Sequence, residues 1–460
     1  FQGFTHLTML LLDNNRLREL PSQVFGGLLA LKVLHLHGND LFQLPKDVFP
    51  NNLCELTMSN NKLNSFPWDI RLNVIDCKDE YNADEFDLGN NSINSLPTSI
   101  FKNSSEITHL LLEFNDIYFV DKNAFHYLTF LIKLSLTNNK LSSFSFIESL
   151  KRITTLKELS LGSNRLQEFS TNTTRNRLLH LTSLSLERNL IVIVPRFIAD
   201  SAIQKLYFSF NHIFHLQNDS FSPDLELLDL KWNRLRSFDS GTFIKLPSLL
   251  QLNLEGNALV SIQPELLISL SNIRVLRLGS NQISLLPNDI FHHSKYLVQL
   301  YLDDNDLYTL RSDAFNSLLN LRTLHLHTNY ISTLSQEQFS ALKKLVELTL
   351  HENKLTVIPD HIFVNLIKLR YVSLFSNNVT KLPKLVFNAN RNLRVIEIHY
   401  NYLREIPADI FKGLGSLRYL LMQGNELTTL PERLFDQLQY KMRINILSLQ
   451  DNRISNLPTY

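Results

Sequence analysis

Cysteine is nearly absent: 460 residues carry only Cys54 and Cys77, too few for a disulfide-rich scaffold and too few to fix the redox compartment. Glycine is scarce at 12 residues, and no G-x-G-x-x-G, P-loop, G-x-S-x-G or H-E-x-x-H pattern occurs. The chain therefore offers no phosphate-cradling loop, no nucleophile elbow and no helical zinc dyad, which argues against an enzyme and calls for no cofactor. Neither sign of charge dominates: 45 Lys and Arg face 44 Asp and Glu, and the net charge of +1 argues against nucleic acid as the partner. No apolar run approaches the roughly 18 residues of a membrane span. The start of the chain has no basic head followed by an apolar middle, so no signal peptide is visible.

What is abundant is repetition. The template L-x-x-L-x-L-x-x-N-x-L recurs from Asn15 to Asn452 in nineteen copies, and no copy lacks the asparagine. Eleven of the 15 prolines fall six residues after that asparagine and thirteen of the 30 phenylalanines fall ten after it, from Phe25 to Phe435, so the period belongs to the whole unit. With the asparagine counted as position 9, alternation at positions 3 to 6 marks a short strand whose leucines at 4 and 6 point inward. Leucines at 1 and 11 close over the same core. An asparagine suits the corner because its amide both donates and accepts, pairing backbone groups that a tight turn buries. The phenylalanine fills the wider rear of each coil, and neighbouring coils must stack because one cannot close a core alone.

The template resembles a leucine-rich repeat along the whole chain. A 24-residue unit such as NNRLRELPSQVFGGL, with L-P after the asparagine turn and F-x-x-L near its end, is similar to the typical subclass of Toll-like receptors, chaoptin-like adhesion proteins and Slit. That resemblance implies an α/β solenoid: a curved horseshoe with a parallel sheet on its concave face and loops or short helical turns on the convex side. It further implies an extracellular or cell-surface recognition domain that binds a protein or other macromolecule. An adhesion protein of chaoptin type, pairing with a second copy as a homodimer, is the alternative, and a cytosolic scaffold a third. Phe1 stands inside a repeat and Pro458 inside another, so the expectation is one solenoid over residues 1–460, truncated at both ends and without capping modules.

The ladder is irregular near residues 70–86, 139–233 and 436–447. The first of these carries VIDCKDEYNADEF, and Cys54 beside the third strand leaves two readings, a disulfide to Cys77 or two free thiols. N-glycosylation acceptors occur at Asn90, Asn103, Asn172, Asn218 and Asn378.

Positions 3, 5, 7 and 8 project from the sheet and carry the candidate binding residues. One group is Tyr207, Phe210 and Trp232, large aromatics of the kind that anchor interfaces, or that cover a gap left by shortened repeats. A second is Tyr301, Asp303, His325, His327, His351, Phe375, His399 and Tyr400, with Asp304 and Glu397 beside them. The stretch LHLHTNYISTLS of this second group also occurs as LHLHGNDLFQLP, so the His-x-His pair comes from the template. Around His35 and His37 the matching positions are Leu11, Asp13, Thr57 and Ser59, read as a poor ligand set, whereas His327 lies between Asp303 and His351. The readings, in order, are solvated surface, a contact patch whose histidines gain charge together as pH falls near about 6.5, and a zinc site; no metal is assigned.

Overall fold

The computed structural model describes residues 1, 3–51, 53–65, 85–102, 104–167, 178–432, 434 and 444–457. It divides into two compact units, Phe1–Leu225 and Glu226–Tyr460. Both are parallel-strand solenoids whose main sheet takes one three-residue strand from each repeat, and in the first unit the two-residue strands Ser95–Leu96 and Phe119–Val120 pair apart from it. In the first unit these are β1 Met9–Leu11, β2 Val33–His35, β3 Glu55–Thr57, β4 Glu85–Asp87, β5 His109–Leu111, β6 Lys133–Ser135, β7 Glu158–Ser160, β8 Ser183–Ser185 and β9 Lys205–Tyr207. In the second they are β10 Leu227–Asp229, β11 Gln251–Asn253, β12 Val275–Arg277, β13 Gln299–Tyr301, β14 Thr323–His325, β15 Glu347–Thr349, β16 Tyr371–Ser373, β17 Val395–Glu397, β18 Tyr419–Leu421 and β19 Ile446–Ser448.

Within each unit every strand pairs in parallel with the next at the same template position, so Tyr301, His325, Thr349, Ser373 and Glu397 follow one another across the sheet. The strand occupies positions 3 to 5. Leu324 of β14 is buried while Thr323 and His325 are half-buried, the alternation that the sequence pattern requires.

The asparagine ladder makes each repeat a hydrogen-bond acceptor and donor for its neighbour. Asn353 Nδ2 donates to the Leu326 carbonyl of the preceding repeat (2.9 Å) and to its own Leu350 carbonyl (3.1 Å), and Oδ1 accepts from the Ile331 N–H (3.0 Å). Asn39 repeats the arrangement with Leu12, Leu36 and Leu17 at 2.9, 3.0 and 3.0 Å. The amide thus replaces water for backbone groups that the corner buries.

Immediately before each ladder asparagine, from Asn14 to Asp451, the backbone is left-handed, with φ between 50° and 67°. Only Gly38, Gly256 and Gly424 meet that demand without a Cβ. Thr328, Phe114, Phe210, Trp232 and Tyr400 adopt it although bulky or branched side chains resist it. The indole of Trp232 lies in the space that a Cβ on Gly256 would fill, and the ring of Tyr400 does the same at Gly424.

Behind the sheet the phenylalanines stack along the solenoid axis. Phe291, Phe315 and Phe339 follow at 6.1 and 6.2 Å, and Phe363 and Phe387 at 5.8 Å. Among the described residues, where the template loses that phenylalanine the rear segment winds up instead. Ser149 stands at the phenylalanine position of one such repeat, and there α1 (Ile147–Leu150) brings in Phe146, which meets Phe125 edge-on at 6.2 Å. Leu267 replaces it in α2 (Pro264–Ser269), which starts on a proline suited to a first helical turn and buries Leu266 and Leu267.

Cys54 is buried directly before β3 and is disulfide-bonded. Cys77 lies outside the described residues, as do most of 70–86 and the glycosylation acceptors Asn103 and Asn172. Asn90, Asn218 and Asn378 are exposed. No helix among the described residues is long and apolar enough to cross a membrane.

Candidate functional site

The second aromatic and histidine group is brought together as one continuous surface within the second unit. Position 7 of successive repeats carries His327, His351, Phe375 and His399, and their rings stack face to face at 4.2, 4.2 and 4.4 Å with interplanar angles of 18°, 11° and 11°. That spacing sits just below the roughly 4.8 Å between strands, so the sheet sets the column and the rings lean slightly to close it.

At one end of the column His325 packs edge-on against His327 (5.5 Å) and Tyr301 edge-on against His325 (4.8 Å). The guanidinium of Arg277 lies 4.1 Å above the Tyr301 ring, a cation–π contact missed by sequence reasoning because Arg277 is one repeat upstream at position 5. At the other end His399 meets Tyr400 at 5.3 Å.

Small residues under the rings give them room. Thr349 and Ser373, at position 5, are buried although they face the open side of the sheet. The Thr349 hydroxyl pairs with His327 Nδ1 at 2.9 Å. His325 Nε2 bonds Glu347 at 3.1 Å, and the Tyr371 hydroxyl donates to Glu397 at 2.7 Å.

For His327, His351 and His399, both the reading as solvated surface and the reading as a patch that gains charge together near neutrality are corrected by this packing. Burial holds the His351 imidazole down to about 3, and the neighbouring His327, His325 and His399 push the same way. His327 is lowered by burial against the pull of Asp303, and His399 by burial against Glu397. The cause is the stack, which takes ring faces out of water; Nδ1 of His351 and of His399 are both buried with no hydrogen-bond partner. Glu347 is held low by its hydrogen bond from His325, and Tyr371 is raised by burial and by its bond to Glu397.

The reading of His35 and His37 as poorly surrounded is also corrected. His37 Nε2 lies 3.7 Å from Asp13, its Nδ1 pairs with Thr57 at 3.2 Å, and His35 Nε2 bonds Glu55 at 2.7 Å. These partners match Asp303, Thr349 and Glu347 around the later pair. No ring succeeds His37, however: the next position-7 residue is Ser59.

The first aromatic group divides between the units. Tyr207 closes β9 in the first unit, and Phe210 lies just beyond it with Arg188 4.4 Å above its ring. Trp232 belongs to the second unit and is 45% exposed. The second unit also carries a basic groove at its strand entry edge, lined by Arg322, Lys344, Lys368 and Arg370, a feature that the spacing of aromatic residues does not reveal.

Parallel one-strand coils, an inter-repeat asparagine ladder and a rear phenylalanine stack define a leucine-rich-repeat solenoid, and this chain is one. Residues 268–394 and 308–443 match the BspA-type leucine-rich-repeat family, and residues 201–259 match a second leucine-rich-repeat family. Podocan of Mus musculus is 29% identical over 60% of this chain and 37% of its own length. Human Toll-like receptor 5 is 43% identical over 14% of this chain and 7% of its own. In fold the chain is similar to Toll from a Drosophila Toll–Spatzle complex, with a TM-score of 0.77 and 18% identity over 99% of this chain and 60% of that one. The matched region spans well under half the length of these curated relatives.

Proposed function

We propose that this protein is a non-enzymatic ligand-binding segment of a cell-surface receptor of Toll-like type, and that it binds a protein partner through the sheet face of its second unit. The observation that carries the reading is the unbroken run of rings from Tyr301 to Tyr400 on the one side of the sheet that the core does not use. Aromatic residues held rigid on an open face lose little conformational freedom on docking, which is why they dominate interface energetics. Toll's presence in a complex with Spatzle supports a protein partner by similarity of fold.

An extracellular location is supported by the disulfide at Cys54, which persists in oxidising compartments, and by exposure of the acceptors Asn90, Asn218 and Asn378. Pairing of Cys54 with Cys77 is part of the proposal, as are glycans at those asparagines. Tyr207, Phe210 and Trp232 are proposed as further contacts.

Capture from extracellular medium on the immobilised parent, followed by affinity measurement on the purified partner, tests the reading. Tyr301→Ala and Tyr400→Ala are each expected to cost about 2 kcal/mol of binding, the scale of an interface hot spot. Ile367→Ala, in the exposed return segment, is expected to leave affinity unchanged. Equal losses at Tyr400 and Ile367 would show that the ring surface is not the docking face.

A further inference from the structure

We propose that the protein carries two divalent transition-metal sites, one formed by Asp13, His35 and His37 in the first unit and one by Asp303, His325 and His327 in the second. In each trio the ligand-type atoms lie within 4.8 Å of one another. The two share one construction. Positions 5 and 7 of a repeat put two imidazoles on the same side of the sheet, and position 7 of the preceding repeat places a carboxylate against the second imidazole, Nε2 to Oδ2, at 3.7 Å in one unit and 3.8 Å in the other.

Two imidazoles and a carboxylate are a donor set suited to zinc and its neighbours, and ill suited to calcium or magnesium, which take oxygen. Donors around a tetrahedral zinc stand about 3.3 Å apart, given metal–ligand bonds near 2.0 Å, so small side-chain rotations close either trio on an ion.

The surroundings supply what metal-bound histidines ordinarily need, a partner for the ring nitrogen that does not face the ion. A threonine hydroxyl holds Nδ1 of the second histidine in both units, Thr57 at 3.2 Å and Thr349 at 2.9 Å, leaving Nε2 directed at the aspartate. A glutamate holds Nε2 of the first histidine in both, Glu55 at 2.7 Å and Glu347 at 3.1 Å, so that Nδ1 is the atom it can offer without breaking that bond. Recurrence of all five side chains in two places goes beyond the leucine and asparagine template, because positions 3, 5 and 7 are the variable ones.

A second observation points the same way at the later site. Asp303 Oδ1 is buried with no hydrogen-bond partner, an arrangement that is costly for a carboxylate unless a cation compensates it. The Asp303 carboxylate also lies over Gly279, with Oδ2 only 2.9 Å from where a Cβ would stand, so the preceding repeat leaves room for it by having no side chain there. Three protein donors leave one tetrahedral position open on the solvent side, for water or for a donor from a partner.

The test uses the whole chain, stripped with chelator and titrated calorimetrically with Zn²⁺ at neutral pH, with Co²⁺ absorption reporting donor geometry. Two equivalents are expected. Asp303→Asn with His327→Gln should remove one, Asp13→Asn with His37→Gln the other, and the four substitutions together both, while every metal-free variant still unfolds cooperatively, at a lower temperature where the His327 ring is lost from the column. Zn²⁺ binding by the fourfold variant equal to the parent's, for instance through the adjacent His292 and His293, would overturn the proposal, and so would a parent that binds no Zn²⁺ or only one equivalent. No docking partner enters this titration, so its outcome is separate from that of the receptor reading.

Discussion

His35 and His37 in the first unit and His325 and His327 in the second stand on the same frame, each pair with an aspartate before it and a glutamate and threonine after it. They differ in the repeats further along the sheet. After His37 the column stops at Ser59, whereas after His327 it runs through His351, Phe375 and His399. A repeat can therefore deliver the same local chemistry twice and the same surface only once. Polar bonds to adjacent strands need one neighbour on each side, but a ring stack needs several repeats in succession that all place a planar side chain at one position. The extended feature is the one that distinguishes the regions, and it carries the docking proposal.

The frame common to both regions should be the most sensitive to substitution. Asn39→Ala and Asn353→Ala each remove donor and acceptor bonds to the preceding repeat and leave buried backbone groups unpaired, at roughly 1 to 3 kcal/mol. Denaturant unfolding should show losses of similar size in the two regions. A loss confined to one of them would mean that the ladder does not bear equally on both.

The next largest effect should separate the regions. His351→Ala takes a ring from the middle of the stack and is expected to cost about 1 kcal/mol beyond the area it uncovers, since it breaks two ring contacts. His37→Ala breaks no face-to-face stack and is expected to cost less in the same assay. If the two substitutions prove equal, the column contributes nothing of its own.

A third, smaller effect depends on pH. His351 has a folded value held near 3 against about 6.5 in the unfolded chain, so the unfolded chain takes up a proton first. Its contribution to stability is complete above about 6.5 and declines as pH falls from there toward 3. His327 and His399, also lowered by burial, add to the same decline. His351→Phe keeps a ring in the column, as Phe375 does next door, and removes the titration. Melting temperatures measured between pH 7 and pH 4 should fall less for this variant than for the parent; parallel profiles would exclude His351 as a source of the dependence.

Much of this was readable from residue spacing alone. The asparagine ladder and the rear phenylalanines are visible because every repeat needs them and nothing else satisfies the same corner or fills the same rear space. Spacing also placed His327, His351, Phe375 and His399 on neighbouring strands. It did not show that their rings stack and lose water, because that depends on side-chain rotation over small residues such as Thr349 and Ser373. Nor did it show the left-handed residue before each asparagine, where Gly38, Gly256 and Gly424 are the only outward sign and Trp232 and Tyr400 conceal it. Asp13 does not stand out in the sequence because its neighbours Leu11 and Ser59 look inert, although the carboxylate one repeat upstream is the one that reaches His37.

Whether the second region is a desolvated ring column is measured most directly by NMR titration of the histidine ring protons in the metal-free parent, with resonances assigned through His351→Phe. His351 is expected to remain neutral down to mildly acidic pH and to titrate at about 3. A midpoint near the ordinary value of about 6.5 would mean that its ring is in water, and would contradict the column on which the docking surface is built.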